Sequence, residues 1–344
     1  MKAGYVYDPI YLKHETGYHP ENAKRLEAVM AHLEKTGLIK QLTQVDPRPA
    51  TVEELSYVHQ ETYISSLQDM AVRGGGWLDA DTVMSPDSYN AALYAAGGVI
   101  EATDAVVSGK VNSAFALVRP PGHHATATAA KGFCLFNNIA IAARHAIKKQ
   151  KLEKVAIIDF DVHHGNGTQE AFDSDPQVLY ISTHQYPHYP GSGTIYETGS
   201  GAAQGSKVNI PLPAGSGDDE YRQVFEQIIV PVTKRFRPEL ILVSAGYDAH
   251  WADHLAMMEV SVTGFAQIAR FIKSLADELC QGRIVLTLEG GYNLKAQALA
   301  VKATFDILLG NPDIEDPLGP PERRRAAPDI SELVTQIRKI HKIA

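Results

Sequence analysis

Two carboxylates and two imidazoles follow directly on an apolar run in Ile157-Ile158-Asp159-Phe160-Asp161-Val162-His163-His164-Gly165-Asn166-Gly167. Asp161 and His163 are two residues apart, so at the end of an extended segment their side chains leave the same face. One carboxylate oxygen and one imidazole nitrogen converging from one face make half of a divalent-metal site. Taken alone, the pattern also reads as a polar loop after a buried strand. Other strand ends in the chain carry matching chemistry, which argues against that reading.

Ligands of open α/β sheets bind outside the carboxyl ends of the strands. Those ends here read Arg119-Pro120-Pro121-Gly122-His123-His124, Asp159-Phe160-Asp161-Val162-His163-His164, Ser182-Thr183-His184, Ser244-Ala245-Gly246-Tyr247-Asp248 and Glu289-Gly290-Gly291-Tyr292. Asp161, His163 and Asp248 form a set of three protein ligands, which leaves the open coordination position that hydrolysis needs. Two carboxylates with one imidazole suit zinc, while oxygen-rich ligation also admits Fe(II), Mn or Co. Because the carboxylates cancel the dication's charge, a further electrophile is expected, and Tyr292 after its glycine pair is the candidate donor.

His123 and His124 follow a rigid Pro-Pro-Gly turn and can flank a reacting water as base, acid and electrostatic partner. Asp159 and Asn166 are the unassigned polar groups nearest the metal motif and are assigned as partners of His123 and His124 respectively. An aspartate favours imidazolium and an asparagine does so far less, so His124 is expected to rest neutral and act as general base. Gly132 and Phe133 lie on a turn close to the histidine pair, where an aromatic beside a glycine could wall a narrow channel. Tyr189 in the long segment Gln185–Gly205 is a second candidate wall. Both aromatics read equally as core residues. Cys134 reads as a packed thiol, with no general base assignable to it.

The elements that must position these groups alternate. Strands are expected over Gly4–Tyr7, Ala114–Val118, Lys154–Asp159, Val178–Ser182, Leu240–Ser244 and Arg283–Leu288. Helices are expected over Glu21–Lys35, Pro86–Ser108, Asn137–Lys148, Tyr221–Phe236, Thr263–Leu279 and Lys295–Leu309, with Asp87 and Asp218 placed to serve helix-start amides. This is the pattern of a single α/β domain with a mostly parallel central sheet flanked by helices. After the Pro- and Arg-rich stretch Asn311–Pro328, residues Ile330, Leu333, Val334, Ile337 and Ile340 form one apolar helical stripe, expected to dock on the body, with a homo-oligomer contact as the alternative.

The net charge of −8 argues against direct nucleic-acid binding. No apolar run reaches membrane-spanning length and no signal-peptide pattern opens the chain, so no membrane partner is expected and a cytoplasmic location is. With Cys134 and Cys280 as the only cysteines, a metal must be held by His, Asp and Glu.

Together these segments resemble the histone deacetylase family, which shares its fold with arginases and acetylpolyamine amidohydrolases. The resemblance spans residues 1–310, leaving 311–344 as a linker and C-terminal helix. It rests on Arg119–His124, Gly132-Phe133-Cys134, Asp159–Gln169, Ala245–Ala249 and Glu289–Tyr292, and Asn166 with Ala245–Ala249 looks like the class II branch. It implies zinc-dependent hydrolysis of an acetylated amine, with Asp161, His163 and Asp248 on Zn2+, His123 and His124 on the water, Tyr292 on the acetyl carbonyl, and Phe133 lining the acyl tunnel. It also implies a structural K+ held by Asp159, Asp161, His163, Ser182 and Thr183, and a weaker match to a second potassium site at Phe172, Asp175 and Val178. Arg25 falls where the family lines an internal channel.

Polyamine-preferring relatives carry Glu at the position of Leu255, which tilts the substrate towards acetyl-lysine in a protein or peptide, and Asp79 and Asp81 could supply negative charge at the rim to hold a peptide backbone. The alternative substrate is an acetylpolyamine or other small acetylated amine. An arginase-like binuclear manganese site would need bridging aspartates that Ala249 and His250 do not provide, and a non-catalytic acyl-amine binder would not need Tyr292. Acyl-chain preference, oligomeric state and the metal carried in the cell, zinc or iron, are left open by the sequence.

Overall fold

The computed structural model describes residues 2–321 and 326–343. Its strands are β1 (Ala3–Val6), β2 (Thr43–Gln44), β3 (Gly76–Trp77), β4 (Val83–Met84), β5 (Ser113–Ala116), β6 (Val155–Asp159), β7 (Val178–Gln185), β8 (Lys207–Leu212), β9 (Leu240–Ala245) and β10 (Ile284–Leu288). Eight of them form one sheet in the order β2-β1-β5-β10-β9-β6-β7-β8, and every pairing in it is parallel. Outside this sheet, the small β3–β4 pair is antiparallel. The expected α/β fold with a mostly parallel sheet is therefore present.

The apolar runs explain the centre of this sheet. In β6, Val155, Ala156, Ile157 and Ile158 are all buried, as are Leu240–Val243 in β9 and Ile284–Leu286 in β10. A strand covered by helices on both faces needs such a continuous apolar run rather than alternation. The consequence for the site is topological. The four middle strands lie in the order β5, β10, β9, β6, so two chain-consecutive pairs, β5 with β6 and β9 with β10, interleave, and their carboxyl ends deliver His123–His124, Glu289–Tyr292, Asp248 and Asp161–His163 to one place.

Departures from expectation have local causes. The helix expected over Tyr221–Phe236 is broken into Asp218–Val224, a π-helical turn Phe225–Ile229 and Val230–Phe236. Pro231 supplies no N–H to the helical ladder, and a wider turn just before it accommodates the loss. Strand β8 was not among the expected strands; it contains Pro211 and lies at the sheet edge, where proline is tolerated. Asp87 makes no capping bond, and Asp218 instead accepts hydrogen bonds from Ser261 N and Oγ. The helix Ser331–Ile340 buries Val334 and Ile337 against the main core, beside the turn Phe225–Ile229. Part of the linker before it, residues 322–325, lies outside the described residues.

Candidate active site

Asp161, His163 and Asp248 converge, each offering one ligand atom within 4.8 Å of the others. Asp161 Oδ1 accepts from His163 N (2.9 Å) and lies 3.1 Å from His163 Nδ1, while its Oδ2 accepts from Gly290 N at 2.7 Å. Asp248 Oδ1 accepts from Val162 N at 3.0 Å. Asp248 Oδ2 is buried and has no hydrogen-bond partner, although His163 Nδ1 is 3.2 Å away. A single imidazole nitrogen has one proton at most, so it cannot satisfy both carboxylates. A buried, unpaired carboxylate oxygen facing a second carboxylate is the arrangement a cation resolves.

Glycine makes this closeness feasible. A Cβ on Gly290 would stand 2.1 Å from Asp248 Oδ2 and 2.6 Å from Asp161 Oδ2. Electrostatics agree with the geometry. Burial, then the negative charge of Asp161, raises the Asp248 carboxyl to about 6. Burial opposes charge on His163, but hydrogen bonding to Asp161 and Asp248 outweighs it and lifts that imidazole to about 10. The cluster attracts positive charge, and its donors fit a dication.

The histidine pair sits beside it with ring centroids 4.0 Å apart. His123 Nδ1 is 3.1 Å from Asp159 Oδ2, and His124 Nδ1 is 2.8 Å from Asn166 Oδ1. The two imidazoles part company accordingly. Burial resists charge on His123, but Asp159, Asp161 and Glu289 raise it to about 10. Burial, followed by the positive fields of His123 and His163, holds His124 well below the usual histidine range. Because Asn166 Oδ1 only accepts, His124 Nδ1 carries the proton and its Nε2 presents a lone pair. Asp159 is itself oriented by the Tyr180 hydroxyl at 3.0 Å.

A cavity of about 190 Å³ leads to these groups, lined among others by Phe133, Tyr189, Leu255, Tyr292 and Asp81. It is smaller than the roughly 300–1,000 Å³ of drug-sized ligand sites, so it suits one slender chain. Phe133 and Tyr292 meet edge to face at 5.8 Å, and Tyr189 stands edge-on to His124 at 5.1 Å. Phe133 holds a left-handed backbone, φ 71°, a strained conformation for a bulky residue. Gly132 cannot be larger, because its Cβ would fall 2.3 Å from His124 Cδ2.

Other positions have plainer fates. His164 bonds Ser192 Oγ (2.8 Å) and Gln169 Oε1 (3.1 Å), away from the three-residue cluster. Cys134 is fully buried, its thiol donating to Gly132 O, and burial pushes it well above its usual range. Ser182 pairs in register with Asp159 across β6–β7 but its hydroxyl meets His184 Nδ1, and Thr183 Oγ1 reaches Asp159 O at 3.5 Å. Arg25 is fully buried. It pairs with Glu21, donates to Gly291 O and Glu289 O, and lies 4.9 Å over the Tyr292 ring. The expectation of a second potassium ion at Phe172, Asp175 and Val178 is overturned: the Lys207 ammonium donates to Val178 O at 3.0 Å and approaches Asp175 O at 3.5 Å.

Sequence reasoning missed three supports. Glu289 Oε2 accepts from the amides of Gly122 and His123, fixing the turn under the histidine pair. Asp253 accepts from Tyr292 N (2.6 Å), Asn293 N (2.9 Å) and Leu255 N (3.0 Å), tying the rim to the tyrosine. His188 stacks on His163 at 5.1 Å and meets Leu255 O at 2.9 Å. Their only advance signal was adjacency to motif residues.

Comparison with known proteins matches this frame throughout. The histone deacetylase domain family matches residues 19–308. Chloroplastic histone deacetylase 14 of Arabidopsis thaliana is 42% identical over 320 residues, covering 87% of this chain and 75% of the relative. A probable deacetylase of Archaeoglobus fulgidus is 41% identical over 317 residues, covering 89% and 88%. The crystal structure of the HDA15 HD domain superposes with a TM-score of 0.89 at 33% identity, over 99% of this chain and 94% of that one. With its strand ends, site and sequence all falling within one family's pattern, the chain belongs to the histone deacetylases and is a deacetylase of that family.

Proposed function

We propose that this enzyme removes acetyl groups from the side-chain nitrogen of acetyl-lysine in proteins or peptides, with zinc held by Asp161, His163 and Asp248. The observation that carries the reading is the narrow cavity lined by Phe133, Tyr189 and Leu255 together with the histidine pair and His163, the imidazole member of the three-residue cluster. A divalent metal, when bound there, supplies Lewis-acid polarisation of the acetyl carbonyl and acidifies water.

The chain's own residues do the rest. His124 Nε2 takes a proton from the attacking water, its tautomer set by Asn166. His123, held cationic by Asp159, contributes positive charge where the oxyanion develops. Tyr292 donates a hydrogen bond to that oxygen, held in place through Asp253 and Arg25. His124 then gives the proton to the departing amine, which leaves along the cavity. A potassium ion at Asp159, Asp161, His163, Ser182 and Thr183 is part of the proposal, supported by the register pairing of Asp159 with Ser182.

One observation favours a second reading. Asp81 lines the same cavity and could meet the distal ammonium of a small acetylated polyamine. Turnover of acetyl-lysine peptides and acetylputrescine by the purified enzyme separates the two. Higher kcat/KM on the peptides supports the first reading, and higher kcat/KM on acetylputrescine overturns it.

A further inference from the structure

At the opposite end of the sheet from the active site, Lys207 opens β8 with its whole side chain buried. Lysine is almost never fully buried unless its charge is paired. Among the described residues, Lys207 forms no ion pair with a carboxylate. The nearby carboxylate of Asp175 is taken by Arg144, whose guanidinium also donates to Ala171 O and lies 4.5 Å over the Phe172 ring.

Oxygen dipoles surround the Lys207 ammonium instead. Nζ lies 2.7 Å from Ser206 Oγ, 3.0 Å from Val178 O, and 3.5 Å from both Asp175 O and Ser206 O. Ser206 Oγ spends its own proton on Ala203 O at 2.7 Å, so its lone pairs face the lysine. Backbone carbonyls and one hydroxyl converging on a single positive centre form the kind of shell that hard cations take. The stem is packed as closely: a Cβ on Gly199 would stand 3.1 Å from Lys207 Cγ.

We propose that Lys207 is a tethered monovalent cation, its ammonium filling an oxygen cage that would otherwise take a potassium-sized ion. The cage joins the turn 172–178, the segment 198–206 and the start of β8, so the ammonium holds the sheet's outer strands without an exchangeable ion. Two consequences separate this from an incidental buried lysine. In the wild-type chain the ammonium is charged at neutral pH and shielded from solvent. In Lys207→Ala, which removes the ammonium but keeps the carbonyls, the cage becomes a site for a free cation.

The test measures melting of the full chain in choline chloride and in KCl at about 0.1 M. Lys207→Ala is expected to melt roughly 5 °C or more below wild type in choline and to recover at least about half of that in KCl. The comparison is the difference between variant and wild type, which cancels potassium bound elsewhere. Lys207→Met, which refills the space with an apolar chain, is expected to be destabilised without potassium rescue. A potassium response no larger in Lys207→Ala than in wild type overturns the proposal. Should the variants fail to fold, the wild-type chain still decides. A slowly exchanging, protonated 15Nζ signal for Lys207 at pH 7, with resistance to reductive methylation, supports it; a neutral amine or surface-like methylation overturns it.

Discussion

Two regions at opposite ends of the sheet face the same physical problem and solve it differently. At the carboxyl ends of β6 and β9, Asp161 and Asp248 are buried together, and Asp248 Oδ2 is left without a hydrogen-bond partner. At the amino end of β7, carbonyls of Asp175, Val178 and Ser206 also converge, but Lys207 is anchored among them. Buried acceptors left unmet are costly, so each cluster demands positive charge. Where only architecture is at stake, the chain supplies that charge covalently. At the reactive end it leaves Asp248 Oδ2 unmet, an acceptor that the proposed ion, with its open coordination position, would satisfy.

The largest effect should come from breaking the reactive side of this comparison. Asp248→Ala removes the orphaned acceptor and is expected to lower deacetylation more than about 10³-fold with loss of bound metal, read by turnover and metal analysis together. Metal loss without activity loss would contradict the assignment. Next comes Tyr292→Phe, expected to reduce kcat by ~10²–10³-fold while leaving metal content and peptide affinity nearly unchanged, as for removal of one oxyanion donor. Retained kcat would assign the electrophile elsewhere.

A smaller change is expected at the mouth. Leu255→Glu places a carboxylate in the cavity lining and should shift the acetylputrescine-to-peptide ratio of kcat/KM by roughly 10-fold towards the polyamine. An unchanged ratio would mean that Leu255 does not read the substrate's distal end.

The smallest effect concerns polar groups that, like the Lys207 cage, satisfy themselves internally. His59 Nδ1 donates to Thr126 O (2.8 Å) and Nε2 accepts from Asn137 N (2.9 Å), so only the neutral imidazole fits. Burial lowers it to about 4 in the folded chain, against about 6.5 when unfolded. Between these values the unfolded chain binds a proton that the folded chain does not, so stability falls as pH drops from about 6.5 to about 4 and this contribution levels off below. His59→Gln should melt a few degrees lower at pH 7, with a shallower loss of Tm across that window, by calorimetry. An unaltered slope would place the acid sensitivity in other buried histidines such as His14 and His164.

What the sequence made legible follows the same division. Continuous apolar runs announced β6, β9 and β10, because a strand covered on both faces has no alternative. The motif residues at their ends stood out because Asp, His and Tyr cost too much to bury without a purpose or a partner. The structure brings Asp161, His163 and Asp248 together, and pairs His123 with Asp159 and His124 with Asn166. Interactions made by distant backbone were not legible. Glu289 reaches the amides of Gly122 and His123, and Asp253 those of Tyr292 and Asn293, across separations that no local pattern encodes. The left-handed backbone of Phe133 and the fully buried Lys207 were hidden for a different reason: residue type alone argues against both. β8 escaped because Pro211 signals a break in most strands and a permitted position only at an edge.

On the proposed reading, the cluster of Asp161, His163 and Asp248 holds one exchangeable dication on which deacetylation depends. Stripping the purified chain with a chelator and titrating zinc back, while following acetyl-lysine peptide hydrolysis and bound metal in the same samples, tests it directly. No turnover is expected in the stripped enzyme, with recovery in proportion to zinc up to one ion per chain. Turnover by the metal-free chain, or recovery only at two ions per chain, would contradict it.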